Sequence, residues 1–445
     1  MIIKNGWVVT WEKPNRILKD HSIKIDNGVI VEITPDNQMT ALVGEEIVDA
    51  HSQLVMPGNI CAHTHFYGAF SRGLAIPGAP AGNFSEILSK LWWRLDRAIL
   101  QEDIELSTQV CLLDAIRHGT TTLIDHHASP GYIHGSLNII AEAVKKSGLR
   151  GCLCYEVTDR GGLSLAMEGI KENIEYIKYS KNNQDGQIAA LFGLHAGLTL
   201  SERTLEKSRD MTPDDVGFHI HVAEDAIDEY DSLQKYGLRV IDRLNKFGIL
   251  NSSTILAHGV HIDAMEMEII KQQDSWVTHQ PRSNMNNAVG VADVASMMRL
   301  GIKVCMGNDG FSNSMWDEWK TAYFVHKLWN RDPLRMPADM VLDMGVYTNS
   351  ALASQLFNSE IGVLKEGAKA DLILVDYHPF TQMNSGNLPW HIIFGFRESM
   401  VSATMVDGKF LMFDHKILSM DEEKITTEAL ISSAKVWDRF LNLND

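Results

Sequence analysis

Cysteine is scarce in this chain: five in 445 residues, too few and too scattered for a disulfide framework. Cys152 and Cys154 stand two apart in an apolar run, so they share one face of a strand and read as small buried hydrophobes. Long apolar runs are also missing, and none approaches the ~20 residues that a membrane-spanning helix needs. Residues 1–10 have no charged start, no extended apolar stretch and no cleavage site, so they read as a strand rather than a signal peptide. The expected compartment is a reducing cytoplasm. Positive charge is in deficit: 40 Lys and Arg face 57 Asp and Glu, a formal charge of −17. Such a surface repels phosphate, which argues against nucleic acid and membrane as partners. Hydrophobic residues at 45 % against 22 % charged exclude a disordered chain.

What the chain does have is alternation. Residues 1–54 carry short strands and turns, with Ser22-Ile23-Lys24-Ile25, the turn Asp26-Asn27-Gly28, and Val29 to Ile33 forming a hairpin signature. The same texture returns at 370–375 and 402–406, the latter followed by Asp407-Gly408-Lys409. A small β-sandwich domain built from both termini, 1–54 with 360–414, is the expectation, followed by a helical tail over 415–445. Between them, eight apolar strand-like runs alternate with helical stretches: 54–56, 120–124, 152–157, 190–194, 218–222, 254–257, 276–278 and 302–306. Eight βα repeats over 55–355 match a (β/α)8 TIM-like barrel, an α/β fold. A doubly wound sheet would more often open with a Gly-rich phosphate turn, and Pro57-Gly58-Asn59 is not one. The Gly-, Pro- and Ala-rich stretch 74–84 reads as a long loop, either over the active face or at a subunit contact.

Four of those strands end in residues that can bind a cation. His63-Thr64-His65 closes the first, and alternate strand residues point the same way, so both imidazoles can reach one ion. The fifth ends His219-Ile220-His221-Val222-Ala223-Glu224, the sixth Ala257-His258, and the eighth Gly307-Asn308-Asp309. Barrel active sites lie at these C-terminal strand ends. Alone, Asp309 in Asn-Asp-Gly would be a turn residue; the company of His63, His65 and His221 makes it a ligand candidate. Glu224 stands where a base for the attacking water belongs, because metal-assisted hydrolysis needs a group that takes a proton and later delivers it to the leaving nitrogen. His258 can polarise a carbonyl or orient a ligand. His219 sits one layer deeper, as a packing residue.

The set His63-x-His65, His221-x-x-Glu224, His258-Gly259 and Asp309 resembles the deaminase-like branch of the amidohydrolase superfamily. Val55-Met56-Pro57-Gly58, Pro281-Arg282-Ser283-Asn284 and the segment from Gly367 to Leu372 are similar to landmarks of that family, and the resemblance covers nearly the whole chain. Residues 91–97, 125–130 and 282–287 are similar to a bacterial aminohydrolase group associated with purine breakdown and selenium-dependent metabolism. The resemblance implies His63, His65, His221 and Asp309 as ligands of one divalent ion, zinc first and iron or manganese otherwise. Glu224, His258 and Asp309 would be catalytic. His195, Arg72, Trp92 and Arg282 are substrate-binding candidates, with Arg94, His126 and His127 as further pocket candidates. Two-metal relatives carry a lysine at the end of strand four, where this chain has Leu194-His195-Ala196; Glu156 is the one substitute bridge. The expected activity is deamination of a purine- or pterin-like ring through a metal-activated water, in purine catabolism. Ring opening of a cyclic amide is the alternative, and a non-catalytic barrel a distant third. The expected partner is a small heterocycle, with the chain a homodimer or larger homo-oligomer.

Overall fold

The computed structural model describes residues 1–183 and 185–443, so the last two residues of the expected tail lie outside it. Strands from both ends of the chain share one nine-stranded sheet. From the N-terminal side come β1 (Ile2–Val9), β2 (Ile17–Asp26), β3 (Val29–Pro35), β4 (Ile47–Asp49) and β5 (Leu54–Pro57). Eight parallel-sheet strands follow: β6 (Asn59–Thr64), β7 (Thr120–His127), β8 (Arg150–Tyr155), a fourth in two pieces, β9 (Ile188–Ala190) and β10 (Phe192–Ala196), then β11 (Phe218–Val222), β12 (Ile255–His258), β13 (Trp276–His279) and β14 (Lys303–Met306). The chain returns to the first sheet with β15 (Leu372–Val375), β16 (Val401–Val406), β17 (Lys409–Phe413) and β18 (Lys416–Ile417).

The terminal sheet runs β18-β17-β16-β15-β5-β1-β2-β3, with β4 paired to β1. The expected hairpin is there: β2 and β3 pair antiparallel about Asn27 and Gly28, both with positive φ, as a tight two-residue turn needs. One expectation is corrected. The run 54–56 is not the first strand of the central layer; β5 pairs parallel to β1 and antiparallel to β15, and the first central strand is β6. Two apolar runs lie back to back here, and only tertiary pairing separates them.

The central layer consists of two parallel sheets, β6-β7-β8-β9 and β10-β11-β12-β13-β14, which meet at both edges. Val157 bridges to Leu194 on one side and Thr64 to Asp309 on the other. Helices cross between successive strands, which gives a TIM-barrel-like α/β arrangement. Its strands are buried almost throughout, fully so in β6, β7 and β8, because helices cover their outer faces. The split of the fourth strand at Leu191 lets β9 pair with β8 while β10 pairs with β11.

At the second seam the backbones touch. Asn308 and Asp309 N–H both donate to the His63 carbonyl, at 3.0 and 3.1 Å. A Cβ on Gly307 would lie 2.6 Å from His63 O and 2.7 Å from His63 N, backbone atoms that cannot swing away. Gly307→Ala should therefore cost about 1–3 kcal/mol of stability, the usual cost of overpacking, and displace His63. Parallel thermal melts and metal analysis of the purified variant check this; an unchanged midpoint with unchanged metal would show that the seam yields freely.

The C-terminal helix, Glu422–Asn442, packs Val436 and Phe440 against the body of the protein. Trp437 Nε1 donates to Phe70 O at 2.7 Å, and Arg94 donates to the carbonyls of Phe440 and Leu443. Arg94, a pocket candidate by sequence, thus holds the tail in place. The tail in turn steadies the long excursion after β6, which ends in helical turns over 84–98 with one π turn at Leu88–Trp92.

Candidate active site

His63, His65, His221 and Asp309 arrive from three strand ends and meet. His65 Nε2 lies 3.0 Å from Asp309 Oδ1 and 3.2 Å from His221 Nε2; His63 Nε2 lies 3.8 Å from Asp309 Oδ1. Two ligands of a tetrahedral ion bound at ~2.0–2.1 Å stand about 3.3 Å apart, so these edges fit one coordination shell. The hydrogen bonds set the tautomers. His65 Nδ1 is spent on His126 O (2.6 Å) and His221 Nδ1 on His195 O (2.8 Å). A carbonyl only accepts, so both Nδ1 atoms carry the hydrogen and both Nε2 atoms present bare lone pairs. His63 spends Nδ1 on His219 Nε2 (2.9 Å), which leaves its Nε2 buried without a hydrogen-bond partner. His219 is the packing residue expected from sequence, and it orients His63. Bare, pre-aimed imidazole nitrogens beside a carboxylate are the donor set of a divalent metal centre.

The electrostatics agree for two of the three imidazoles. Burial, then the neighbouring imidazoles, push His63 and His221 well below the ordinary histidine range, keeping them neutral. Burial also opposes charge on His65, but Asp309, 3.0 Å from its Nε2, overcomes it and lifts that imidazole to about 9, so a cation must displace a proton from this nitrogen as it binds. Burial works against the Asp309 carboxylate as well, yet His65 holds its carboxyl well below the usual range. Ser283 Oγ donates to Asp309 Oδ2.

Glu224 and His258 stand side by side next to this cluster. Asn287 Nδ2 donates to Glu224 Oε1 at 3.1 Å, and Glu224 Oε2 lies 3.4 Å from His258 Nε2. Asn284 Nδ2 donates to His258 Nδ1 at 2.9 Å, so the His258 hydrogen is on Nε2, which is buried without a hydrogen-bond partner. Burial, then the Asp309 charge, push the Glu224 carboxyl well above its ordinary range. Ala223, His258 and Asp309 all have left-handed φ, at 45°, 75° and 57°. Strain of this kind in non-glycine residues persists where the surroundings over-determine it.

One cavity of about 50 Å³ reaches His65, His221, Glu224, His258 and Asp309. His195 and Trp92 line it, as the sequence suggested. Arg72 lies apart, in a second opening of about 760 Å³ that also reaches His65, Trp92 and Asp309. Arg282 lines neither: its guanidinium is taken up by Glu318 at 2.5 Å and by Ser312. That partner is 36 residues away in sequence and no local pattern announces it. His127 turns its Nε2 to Ser129 at 2.9 Å. Sequence reasoning missed Asp96, Trp93, Asn284, Asn287 and Ser283. The last three follow β13 in the very segment that resembles the family landmark, which was the available signal.

A model of the family described as "Amidohydrolase family" matches residues 54–411. The chain belongs to the amidohydrolase family. It is a hydrolase acting on carbon–nitrogen bonds other than peptide bonds. Among curated relatives, 5′-deoxyadenosine deaminase of Methanosarcina barkeri is 31 % identical, with 96 % of each chain covered. 5-Methylthioadenosine/S-adenosylhomocysteine deaminase of Pelotomaculum thermopropionicum is also 31 % identical, over 99 % of each. Among solved structures, an adenosine deaminase from Xanthomonas campestris with bound zinc superposes with a TM-score of 0.86, at 22 % identity and 98 % coverage of both chains. This last likeness supports the TIM-barrel-like fold of the amidohydrolase chain.

Proposed function

We propose that this amidohydrolase is an aminohydrolase that releases ammonia from a purine-like ring, with one divalent ion, zinc in first place, held by His63, His65, His221 and Asp309. The observation that carries the reading is the convergence of three imidazole Nε2 atoms and a carboxylate beside the Glu224–His258 pair. The names of the curated relatives, deaminases of adenosine derivatives, support the ring class. A divalent ion at that position supplies Lewis acidity, which lowers the pKa of water toward neutrality. Glu224 takes one proton from the attacking water and delivers it to the departing nitrogen. His258 donates its Nε2 hydrogen toward the developing negative charge, while Asp309 keeps its carboxylate anionic. Asn287 and Asn284 fix the orientations of Glu224 and His258. The balance is one water consumed, one C–N bond broken, one C–O bond formed and one ammonia released.

On the same reading the central strands close as a (β/α)8 barrel, supported by the bridges at both seams, and the terminal strands, which share one nine-stranded sheet, make up the small β domain in place of the two packed sheets of a β-sandwich. The domain division follows, with the first boundary moved to Pro57. Five free cysteines support a reducing cytoplasm, and exposed Phe324, Trp329 and Phe394 offer an apolar surface to another copy of the chain. Purine breakdown is the setting such an activity would serve.

The test is ammonia release by the metal-loaded protein on a panel of 5′-deoxyadenosine, 5-methylthioadenosine, S-adenosylhomocysteine, guanine and pterin. At least one should react with kcat/KM above about 10⁴ M⁻¹s⁻¹, the lower end for enzymes on their own substrates. Elemental analysis should return one tightly held ion per chain. No ammonia from any ring, with a carboxylate product from a cyclic amide instead, would replace deamination by ring opening.

A further inference from the structure

Arg282 belongs to the helical turn Pro281–Asn286, which is only six residues long. A helix that short is not stable alone in water, so its orientation comes from tertiary contacts. The turn and the residue after it supply three partners to the site. Ser283 Oγ donates to Asp309 Oδ2, Asn284 Nδ2 to His258 Nδ1 at 2.9 Å, and Asn287 Nδ2 to Glu224 Oε1 at 3.1 Å. Asn287 N–H also donates to Ser283 O at 2.9 Å, which ties the three into one body. At 100° per residue, Arg282 leaves this turn about 140–160° away from Asn284 and Asn287, on the side opposite the catalytic groups.

One side chain fixes where that body sits. Arg282 Nε donates to Glu318 Oε1 at 2.5 Å, and the Arg282 backbone N–H to Glu318 Oε2 at 3.2 Å. Nη1 donates to Ser312 Oγ at 3.0 Å, and Nη2 to the carbonyls of Ser312 and Ser314 at 2.7 and 3.3 Å. Glu318 is 0 % exposed, on the helix Met315–Asn330. Burial raises its carboxyl to about 7 even with the Arg282 guanidinium opposing. Ser312 and Ser314 lie in the loop that leaves Asp309 toward that helix. A single guanidinium therefore joins the turn that orients Glu224 and His258 to the segment that carries Asp309. Its planar fork suits several acceptors at once, where a lysine would bring one compact charge.

We propose that Arg282 is a positioning residue of the reaction, acting through Asn287 and Asn284 on Glu224 and His258 and making no contact with the substrate. The proposal rests on the aminohydrolase reading for the reaction to be followed. Glu224 and His258 must meet a water and a ring that other strands hold, and a misplacement of about 1 Å costs about 10²-fold in rate.

The experiment compares variants of the metal-loaded protein on a ring of the panel that releases ammonia. Arg282→Ala should lower kcat by ~10²-fold, with KM and metal content near wild type. Guanidinium chloride at millimolar concentration should restore part of that rate by refilling the gap, and Arg282→Lys should fall between Arg282→Ala and wild type. Removing Arg282 alone leaves Glu318 buried without its cation, so Arg282→Met/Glu318→Leu is the variant that protects the fold. It should be as slow as Arg282→Ala, with no rescue by guanidinium. Asn287→Ala should be slow as well, and adding Arg282→Ala to it should cost less than Arg282→Ala does by itself, because both changes break one chain of contacts. Unchanged kcat in a folded, metal-loaded variant would overturn the proposal, as would losses that multiply in full. A raised KM with kcat intact would overturn it too, and return Arg282 to the substrate contact suggested by the sequence. If wild-type protein opens a cyclic amide and releases no ammonia, the aminohydrolase reading falls, and the same variants on that reaction still decide the role of Arg282.

Discussion

Glu224→Gln is expected to slow turnover by at least ~10²–10⁴-fold, the usual cost of losing a general acid–base, while metal content stays at the wild-type level. The side chain keeps its size and can still pair with Asn287, which now holds Glu224 Oε1 at 3.1 Å. What disappears is the group that carries the proton between water and the leaving nitrogen. His221→Ala should behave differently, losing metal and activity together, because one of the three aimed nitrogens is gone and the shell cannot close. Paired measurements of rate and metal content on the two variants form the test. A near wild-type rate in Glu224→Gln would refute the proposed proton path. Loss of the ion in that variant would make Glu224 a ligand and require another base.

The second large effect concerns stability. Arg150 opens β8 at 0 % exposure and reaches the terminal sheet: Nε and Nη2 grip Asp371 at 2.6 and 3.0 Å, and Nη2 also meets Asp407 at 2.6 Å. Nη1 donates to Gly186 O at 2.6 Å. This buried fork ties the parallel layer to the turn between β16 and β17. Arg150→Met keeps much of the volume but strands Asp371 without its cation, and breaking a buried pair this way costs about 3–5 kcal/mol. The double variant Arg150→Met/Asp371→Leu should recover much of that loss, since replacing both partners by apolar groups is often close to neutral. Denaturant titrations of wild type and both variants measure it; a loss under about 1 kcal/mol for Arg150→Met would show that water solvates the joint.

Much of the site was readable because its chemistry is local. His63 and His65 share a strand face by period-two geometry, and His221 and Glu224 lie within one strand end, so spacing alone placed them together. Asp309 needed the company of the others, because an Asn-Asp-Gly stretch looks like any turn. What stayed hidden depends on pairing across the fold. Residues 54–57 and 59–64 are two apolar strands separated by a single glycine, and nothing local says that the first belongs to another sheet. Arg282 reads as a free cation until Glu318 is seen to hold it. The neighbourhood of Glu156, His126, His195 and Asp96 draws on β7, β10, the residue after β8 and the helix that ends at Ala98, and no spacing in the sequence brings these together.

The place of β5 has a consequence in time. Its two neighbours are β1, already made when it emerges, and β15, made only after the whole parallel layer. At about 5–20 residues per second of synthesis, the stretch between Pro57 and Leu372 takes roughly 15–60 s to emerge. For that interval the nascent chain presents Leu54, Val55 and Met56 along an unpaired strand edge, the kind of surface on which other strands add. Messages truncated before β15 should therefore yield insoluble or chaperone-bound product rather than a working catalytic layer, and slowing elongation within that stretch should raise the insoluble fraction.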